Sequence, residues 1–126
     1  MAPSYRHLEV ERQGDVYCVR LRPGHLQETD ILEMADEMHS LIVDEGCRRM
    51  AIALGPETVD CLYSVFLAKL VGVRRRMLEC GGHLVLCDLH PAVVGVFEAC
   101  RLKEYFEFVP DRATAVDRLR TLPTGS

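Results

Sequence analysis

The sequence GGHLVLCDLHPAV, residues 81–93, decides the fold of this chain. Its two glycines end one element, and the mostly apolar run His83–Leu89 has the length and character of a strand buried on both faces of a sheet. Pro91 then occupies a favoured first position of a helix, because the N–H group that proline lacks is not needed there. We expect this helix to run to about Tyr105. A buried strand followed directly by a helix is typical of an α/β sheet with helical crossovers.

The segments before this stretch show the same alternation. The short apolar run Met50–Leu54 predicts another strand buried on both faces. Apolar residues at three-and-four spacing predict a helix over residues 64–79. They predict a further helix over residues 30–45, with Thr29 as its N-cap. The central part of the chain is therefore expected to alternate helix and strand.

The two ends of the chain complete the predicted sheet. Residues 8–12 and 16–22 are expected to be strands that pair as a hairpin about Gly14. A last short strand, Phe106–Val109, leads into a terminal helix for which Asp111 is the predicted N-cap. The order of elements predicts an α/β fold with a mixed, mainly parallel sheet of four to five strands and about four helices.

The composition is that of an ordinary globular protein with one domain over residues 1–126 and an ordered core over about residues 6–121. The net charge of −4 argues against direct nucleic-acid binding, which needs lysine and arginine clustered on one face. No apolar run approaches the roughly 20 residues of a membrane-spanning helix, and the first residues lack the apolar core of a secretion signal. We therefore expect a cytoplasmic protein that does not insert into a membrane and whose partners are proteins.

Six cysteines raise the question of a metal or redox site. No two of them form a Cys-x-x-Cys pair, and a reducing cytoplasm disfavours disulfides. Cys18, Cys87 and Cys100 lie in apolar segments, where a free cysteine behaves as a small buried hydrophobic residue. The chain has no Walker loop, HExxH or GxGxxG motif and no Ser, His and Asp in a recognisable catalytic pattern. We expect no enzyme activity, no cofactor and no metal site.

The stretch at residues 81–93 resembles a motif of the STAS domain, which occurs in anti-sigma-factor antagonists, in stressosome subunits and in the cytoplasmic tails of sulfate transporters. In that family a Gly-Gly-x-apolar strand precedes a helix that begins Pro-Ala-Val. Residues 19–26 and 102–111 are similar to two further family segments, although Arg101 replaces the usual glycine before the second. The resemblance covers nearly all of Val10–Leu119 and implies a STAS-type fold and a role in binding regulatory partner proteins.

The resemblance also implies a site at the start of the second helix. In the family's antagonists, a serine in an Asp-Ser-Ser-Gly-Leu-Gly run is phosphorylated by a kinase that is also the anti-sigma factor. Counting back from Gly81 without gaps places Ser64 on that serine. Tyr63 then replaces the aspartate, Val65 the second serine and Phe66 the glycine. Phosphoserine adds about −1.5 to −2 charges, so at an interface it can expel a partner without unfolding the domain.

The residues around Ser64 leave alternatives open. Ser64 can instead be an ordinary helix N-cap. Phe66 can belong to the core, or it can form an apolar partner-binding patch with Tyr63. A bulky ring at position 66 also favours an altered or absent phosphorylation reaction, since close approach of a kinase needs a small residue there. The candidate partner-binding residues are Gln27, Thr58, Asp60, Tyr63, Ser64, Val65 and Phe66.

Two functional hypotheses follow from the resemblance. The first is a bacterial signalling protein that binds a serine-kinase anti-sigma factor in a partner-switching pathway that regulates transcription, under control of Ser64 phosphorylation. The second is a non-phosphorylated scaffold or adaptor in a stressosome-like assembly or a lipid transporter. Assembly as a homodimer or as a larger STAS complex is open in both.

Overall fold

A computed structural model describes residues 5–21, 28–55 and 64–124 of the chain. It contains five strands and four helices among these residues. In chain order they are β1 (Leu8–Gln13), β2 (Val16–Leu21), α1 (Glu28–Val43), β3 (Arg49–Gly55), α2 (Ser64–Glu79), β4 (His83–Leu89), α3 (Pro91–Ala99), β5 (Glu107–Val109) and α4 (Arg112–Thr121).

The five strands form one sheet in which the spatial order β1-β2-β3-β4-β5 is also the order along the chain. The strands β1 and β2 are antiparallel, and each later strand is parallel to its predecessor. The hairpin between β1 and β2 turns at Gly14, whose φ of +64° is readily adopted by glycine. The structure confirms the predicted α/β fold with a mixed, mainly parallel sheet.

The sheet carries a different core on each face. Helices α1, α2 and α3 pack on one face with large side chains such as Met34, Phe66 and Phe97. On the other face, α4 contributes Ala115, Val116 and Leu119 to the core. The sheet residues beneath α4 are mostly small: Val16, Cys18, Ala51, Ala53, Val85 and Cys87. This face therefore leaves room beside α4, and the other does not.

Two predicted helix ends are wrong. Helix α1 begins at Glu28, so Thr29 lies in its first turn and is not its N-cap. Helix α3 ends at Ala99, well before Tyr105. The chain turns there because Arg101 adopts a φ of +59°, and the Leu102 N–H donates to the Phe97 carbonyl at 2.8 Å. The predicted N-cap of α4 is confirmed, since an Asp111 carboxylate oxygen accepts the Thr114 N–H at 2.8 Å.

Burial confirms most of the predicted core and corrects two positions. Cys18 and Cys87 are buried as predicted. Cys100 is exposed, because α3 ends before it and the chain turns toward the surface. Leu78 belongs to the apolar pattern that predicts a helix over residues 64–79, but 45% of it is exposed near the end of α2. None of the helices among the described residues has the length and apolarity to span a bilayer.

The side chain of Arg49 ties the end of α4 to the sheet. Its Nε donates to the Leu119 carbonyl at 2.8 Å and its Nη2 to the Leu122 carbonyl at 2.9 Å. Its Nη1 forms an ion pair with Asp15 in the hairpin turn. The last carbonyls of a helix lack donor partners within the helix, so this guanidinium supplies the donors that they need.

We expect Arg49→Met to lower the free energy of unfolding by about 1 to 3 kcal/mol, because it removes a charged donor from each of two part-buried carbonyls. Urea denaturation followed by circular dichroism measures the change. Arg118→Met is the matched control, since Arg118 pairs with Glu107 on the exposed side of the same helix. An effect of Arg49→Met no larger than that of Arg118→Met would contradict the role given to Arg49.

Candidate functional site

The candidate site lies where α2 begins. Ser64 is the first residue of this helix, and Val65 and Phe66 complete the start of its first turn. The other candidate residues, Gln27, Thr58, Asp60 and Tyr63, lie outside the described residues. The part of the site that the structure describes is therefore the helix start itself.

Phe66 belongs to the core and not to the partner-facing surface. Its side chain is 0% exposed, and Leu67 next to it is also buried. Positions 66, 70, 73 and 77 recur at helical spacing and are all buried, so they form the inner stripe of α2. The prediction of Phe66 as a partner-binding residue is thus wrong, and its alternative assignment to the core is confirmed. The buried ring also does not obstruct an approach to the helix from outside.

The outward side of α2 carries small side chains close to Ser64. Ala68 follows Ser64 by four residues and is exposed, and Gly72, four residues further, is half-buried. Residues three or four apart on a helix lie on the same face, so Ala68 and Gly72 form a stripe that continues to the exposed Arg75. Val65 is half-buried and packs against the core at the border of the stripe. We define the exposed stripe of α2 as Ala68, Gly72 and Arg75, which follow the helix start at Ser64.

The sequence contained a signal for this stripe. Small residues spaced by four, 64, 68 and 72, allow another surface to approach a helix backbone closely. The continuation of these small residues to Arg75 becomes evident only when the buried side of the helix is known. The exposed stripe of α2 can therefore be identified once the buried stripe of the same helix is known.

The exposed surface of α2 is basic. Lys69, Arg75 and Arg76 are exposed, and no acidic residue lies in the first turn of the helix. Arg74 is not part of this free surface, because its guanidinium lies 4.2 Å from the centre of the Tyr105 ring. Basic groups next to an uncharged helix start favour contact with an acidic surface.

The positive charge of α2 also affects the pKa of a histidine on the neighbouring helix. Burial lowers the pKa of His39 on α1, and Arg76 and Lys69 lower it further, while Asp36 acts in the opposite direction. The neutral form of His39 is therefore favoured at pH 7. The positive charge beside the site comes from α2 itself and not from this histidine.

No protein-family model matches the chain, but solved structures do. A STAS-domain protein from Planctomyces limnophilus superposes with a TM-score of 0.74 at 20% identity, over 90% of this chain and 98% of that one. An anti-sigma factor antagonist from Mycobacterium paratuberculosis gives 0.74 at 19% identity, over 90% and 92%. The anti-sigma factor antagonist SpoIIAA of Bacillus in its unphosphorylated form gives 0.68 at 16% identity, over 91% and 99%. The chain has the STAS-domain fold that these proteins share.

Proposed function

We propose that this protein is a regulatory module that binds a serine-kinase anti-sigma factor through the exposed stripe of α2, and that phosphorylation of Ser64 controls this binding. The observation that carries the proposal is that α2 begins at Ser64 within a fold shared with anti-sigma factor antagonists. One of these, SpoIIAA, has been solved in a phosphorylated form. The proposal places an equivalent switch at the start of α2.

The start of α2 suits a phosphate group. The first N–H groups of a helix have no acceptor within it, and the helix dipole favours negative charge at this end. The first turn contains no carboxylate that would repel the phosphate. The first turn is also anchored, because Phe66 and Leu67 are buried in the core. Modification of Ser64 is therefore expected to alter the surface and leave the fold intact.

The stripe suits a reversible protein contact. Ala68 and Gly72 permit close approach of a partner, and the exposed Arg75 and Lys69 favour a partner with carboxylates at its surface. A phosphate at Ser64 would bring about −1.5 to −2 charges to the end of this contact. Such a group must lose water when a partner covers it, so the phosphorylated form is expected to bind the same acidic surface more weakly.

The test is to incubate the full chain with ATP and a purified serine-kinase anti-sigma factor from the same genome, and to read intact mass and complex formation. We expect the wild type to gain the mass of one phosphate group and Ser64→Ala to gain none. Ser40→Ala is the matched control, because Ser40 lies in the last turn of α1 and donates to Asp44 at 2.8 Å. It should accept phosphate as the wild type does. Phosphate on Ser64→Ala, or neither complex nor phosphate with the wild type, would contradict the proposal.

The same experiment distinguishes the scaffold alternative. A scaffold would bind its partner with equal affinity as wild type and as Ser64→Ala, and neither form would accept phosphate. The replacement of the family's Asp, second Ser and Gly around Ser64 by Tyr63, Val65 and Phe66 is the observation that favours this second function. Size-exclusion chromatography of the unmodified chain would then report whether it forms a homodimer or a larger assembly.

A further inference from the structure

A cavity of about 460 Å³ lies on the α4 side of the sheet, away from α2. Its floor consists of the small side chains of Cys18, Ala51, Ala53 and Cys87. Helix α4 does not fill this space, because it begins only at Arg112, which lines the cavity. The volume falls within the roughly 300 to 1,000 Å³ of small-molecule sites in proteins. The cavity is thus a consequence of small residues in three adjacent strands.

Charged groups of both signs line this cavity. They are the guanidiniums of Arg20 and Arg112 and the carboxylates of Glu9, Glu11 and Asp88. Arg112 Nη2 lies 2.9 Å from a Glu11 carboxylate oxygen, and Arg20 Nη2 lies 3.6 Å from an Asp88 carboxylate oxygen. The Nε of Arg112 is buried and, like Nη2, has no hydrogen bond of good geometry within the described part of the chain, while the guanidinium also interacts with the Cys18 side chain. Buried donors in folded proteins nearly always have an acceptor, so this guanidinium favours one from a bound molecule.

The backbone at Asp88 brings its carboxylate to the same cavity. Its φ is +56°, a left-handed conformation that is uncommon outside glycine. In the pairing of β4 with β3, Cys87 is opposite Ala53 and Leu89 is opposite Gly55. The carboxylate is on the cavity side, because it pairs with Arg20, which lines the cavity. Strained conformations of this kind are concentrated at binding and catalytic sites.

We propose that this cavity binds a zwitterionic small molecule of the size of an apolar amino acid or dipeptide. Its carboxylate would face the accessible part of the Arg112 guanidinium, its ammonium group would face Glu11 and Asp88, and its apolar part would cover Ala53 and Cys87. Three carboxylates against two guanidiniums leave the lining with a slight negative excess. This excess disfavours nucleotides and inorganic phosphate and favours a ligand without net charge. The proposal is independent of the switch at Ser64.

Isothermal titration calorimetry of the full chain tests this site, with L-phenylalanine, L-leucine and leucyl-leucine as zwitterionic probes. Decanoate, ATP and inorganic phosphate serve as the anionic comparison. We expect saturable binding of at least one zwitterion and weaker or no binding of the three anions. Saturation by an anion alone, or no saturable binding by any probe, would overturn the proposal.

Two substitutions locate the binding. Ala53→Leu fills the floor and should abolish binding, provided that its melting curve shows a folded protein. Arg112→Lys keeps the positive charge but lacks the guanidinium donors, and we expect it to weaken binding about tenfold, the effect of one lost hydrogen bond to a charged group. Arg118→Lys, on the same helix and paired with Glu107, should bind as the wild type does. Binding that is unchanged in Arg112→Lys would place the ligand elsewhere.

Discussion

Phe66→Ala is expected to lower the free energy of unfolding by about 3 to 5 kcal/mol, the range for loss of a buried phenylalanine side chain. Phe66 is 0% exposed and belongs to the same core cluster as Leu70, Val73 and Met77 along α2. Truncation removes apolar surface from the core and leaves a cavity that the surrounding helices and sheet can fill only in part. Urea denaturation followed by far-ultraviolet circular dichroism measures this loss.

Val65→Ala is the matched control for this substitution. Val65 is next in sequence but half-buried, so its truncation should cost about 1 kcal/mol. The comparison also guards against a false conclusion about function: a loss of partner binding in Phe66→Ala would reflect unfolding near the site. If Phe66→Ala instead kept the wild-type stability and lost only partner binding, Phe66 would have to be assigned to the binding surface.

Gly82→Ala is expected to lower the free energy of unfolding by about 3 kcal/mol, at the upper end of the usual range for overpacking. A Cβ atom at this position would lie 2.5 Å from the Met77 sulfur and 2.6 Å from the Arg48 carbonyl oxygen. The backbone at Gly82 has little freedom to move away from these two atoms. The Gly82 N–H donates to the Met77 carbonyl at 2.8 Å, and the His83 N–H donates to the same Arg48 carbonyl at 2.9 Å.

Gly95→Ala is the control for Gly82→Ala, and we expect it to raise the stability of the protein. Gly95 lies within α3, and a Cβ atom there would meet nothing within 4 Å. Because alanine is the better helix former, we expect a gain of about 0.5 to 1 kcal/mol. Melting temperatures of the two variants should therefore move in opposite directions from the wild type. Equal destabilisation by both would show that close packing does not account for the glycine at position 82.

The central strands could be predicted from the sequence because their signals are local. Met50–Leu54 and His83–Leu89 are apolar, of strand length and bounded by glycine or proline, and the structure places β3 and β4 there. The end of α3 could not be predicted in this way. Leu102 and Tyr105 continue an apolar pattern because they pack on the core after the helix has ended, and nothing in the sequence shows that Arg101 adopts a positive φ.

The candidate site could be predicted only in part, because only some of its features have a local sequence signal. The start of α2 at Ser64 follows from helical spacing, whereas the burial of Phe66 depends on how α2 is rotated against its neighbours. The cavity on the α4 side gave no sequence signal. Arg20, Asp88 and Arg112 are far apart in the chain, and they meet only because neighbouring strands and the following helix place them at one face of the sheet.

The identity of strand order and chain order has a consequence for biosynthesis. A nascent chain leaves the ribosome from its N-terminus, so β2, β3, β4 and β5 each emerge when the strand beside which they pair is already outside. Helix α4 must pack on strands that were synthesised well before it, since it contacts β2, β3 and β4 as well as β5. Until α4 has been synthesised, the alanines and cysteines on this face of the sheet have no helix packed on them. Emergence of α4 from the ribosome is therefore the step at which we expect this face to become protected from aggregation.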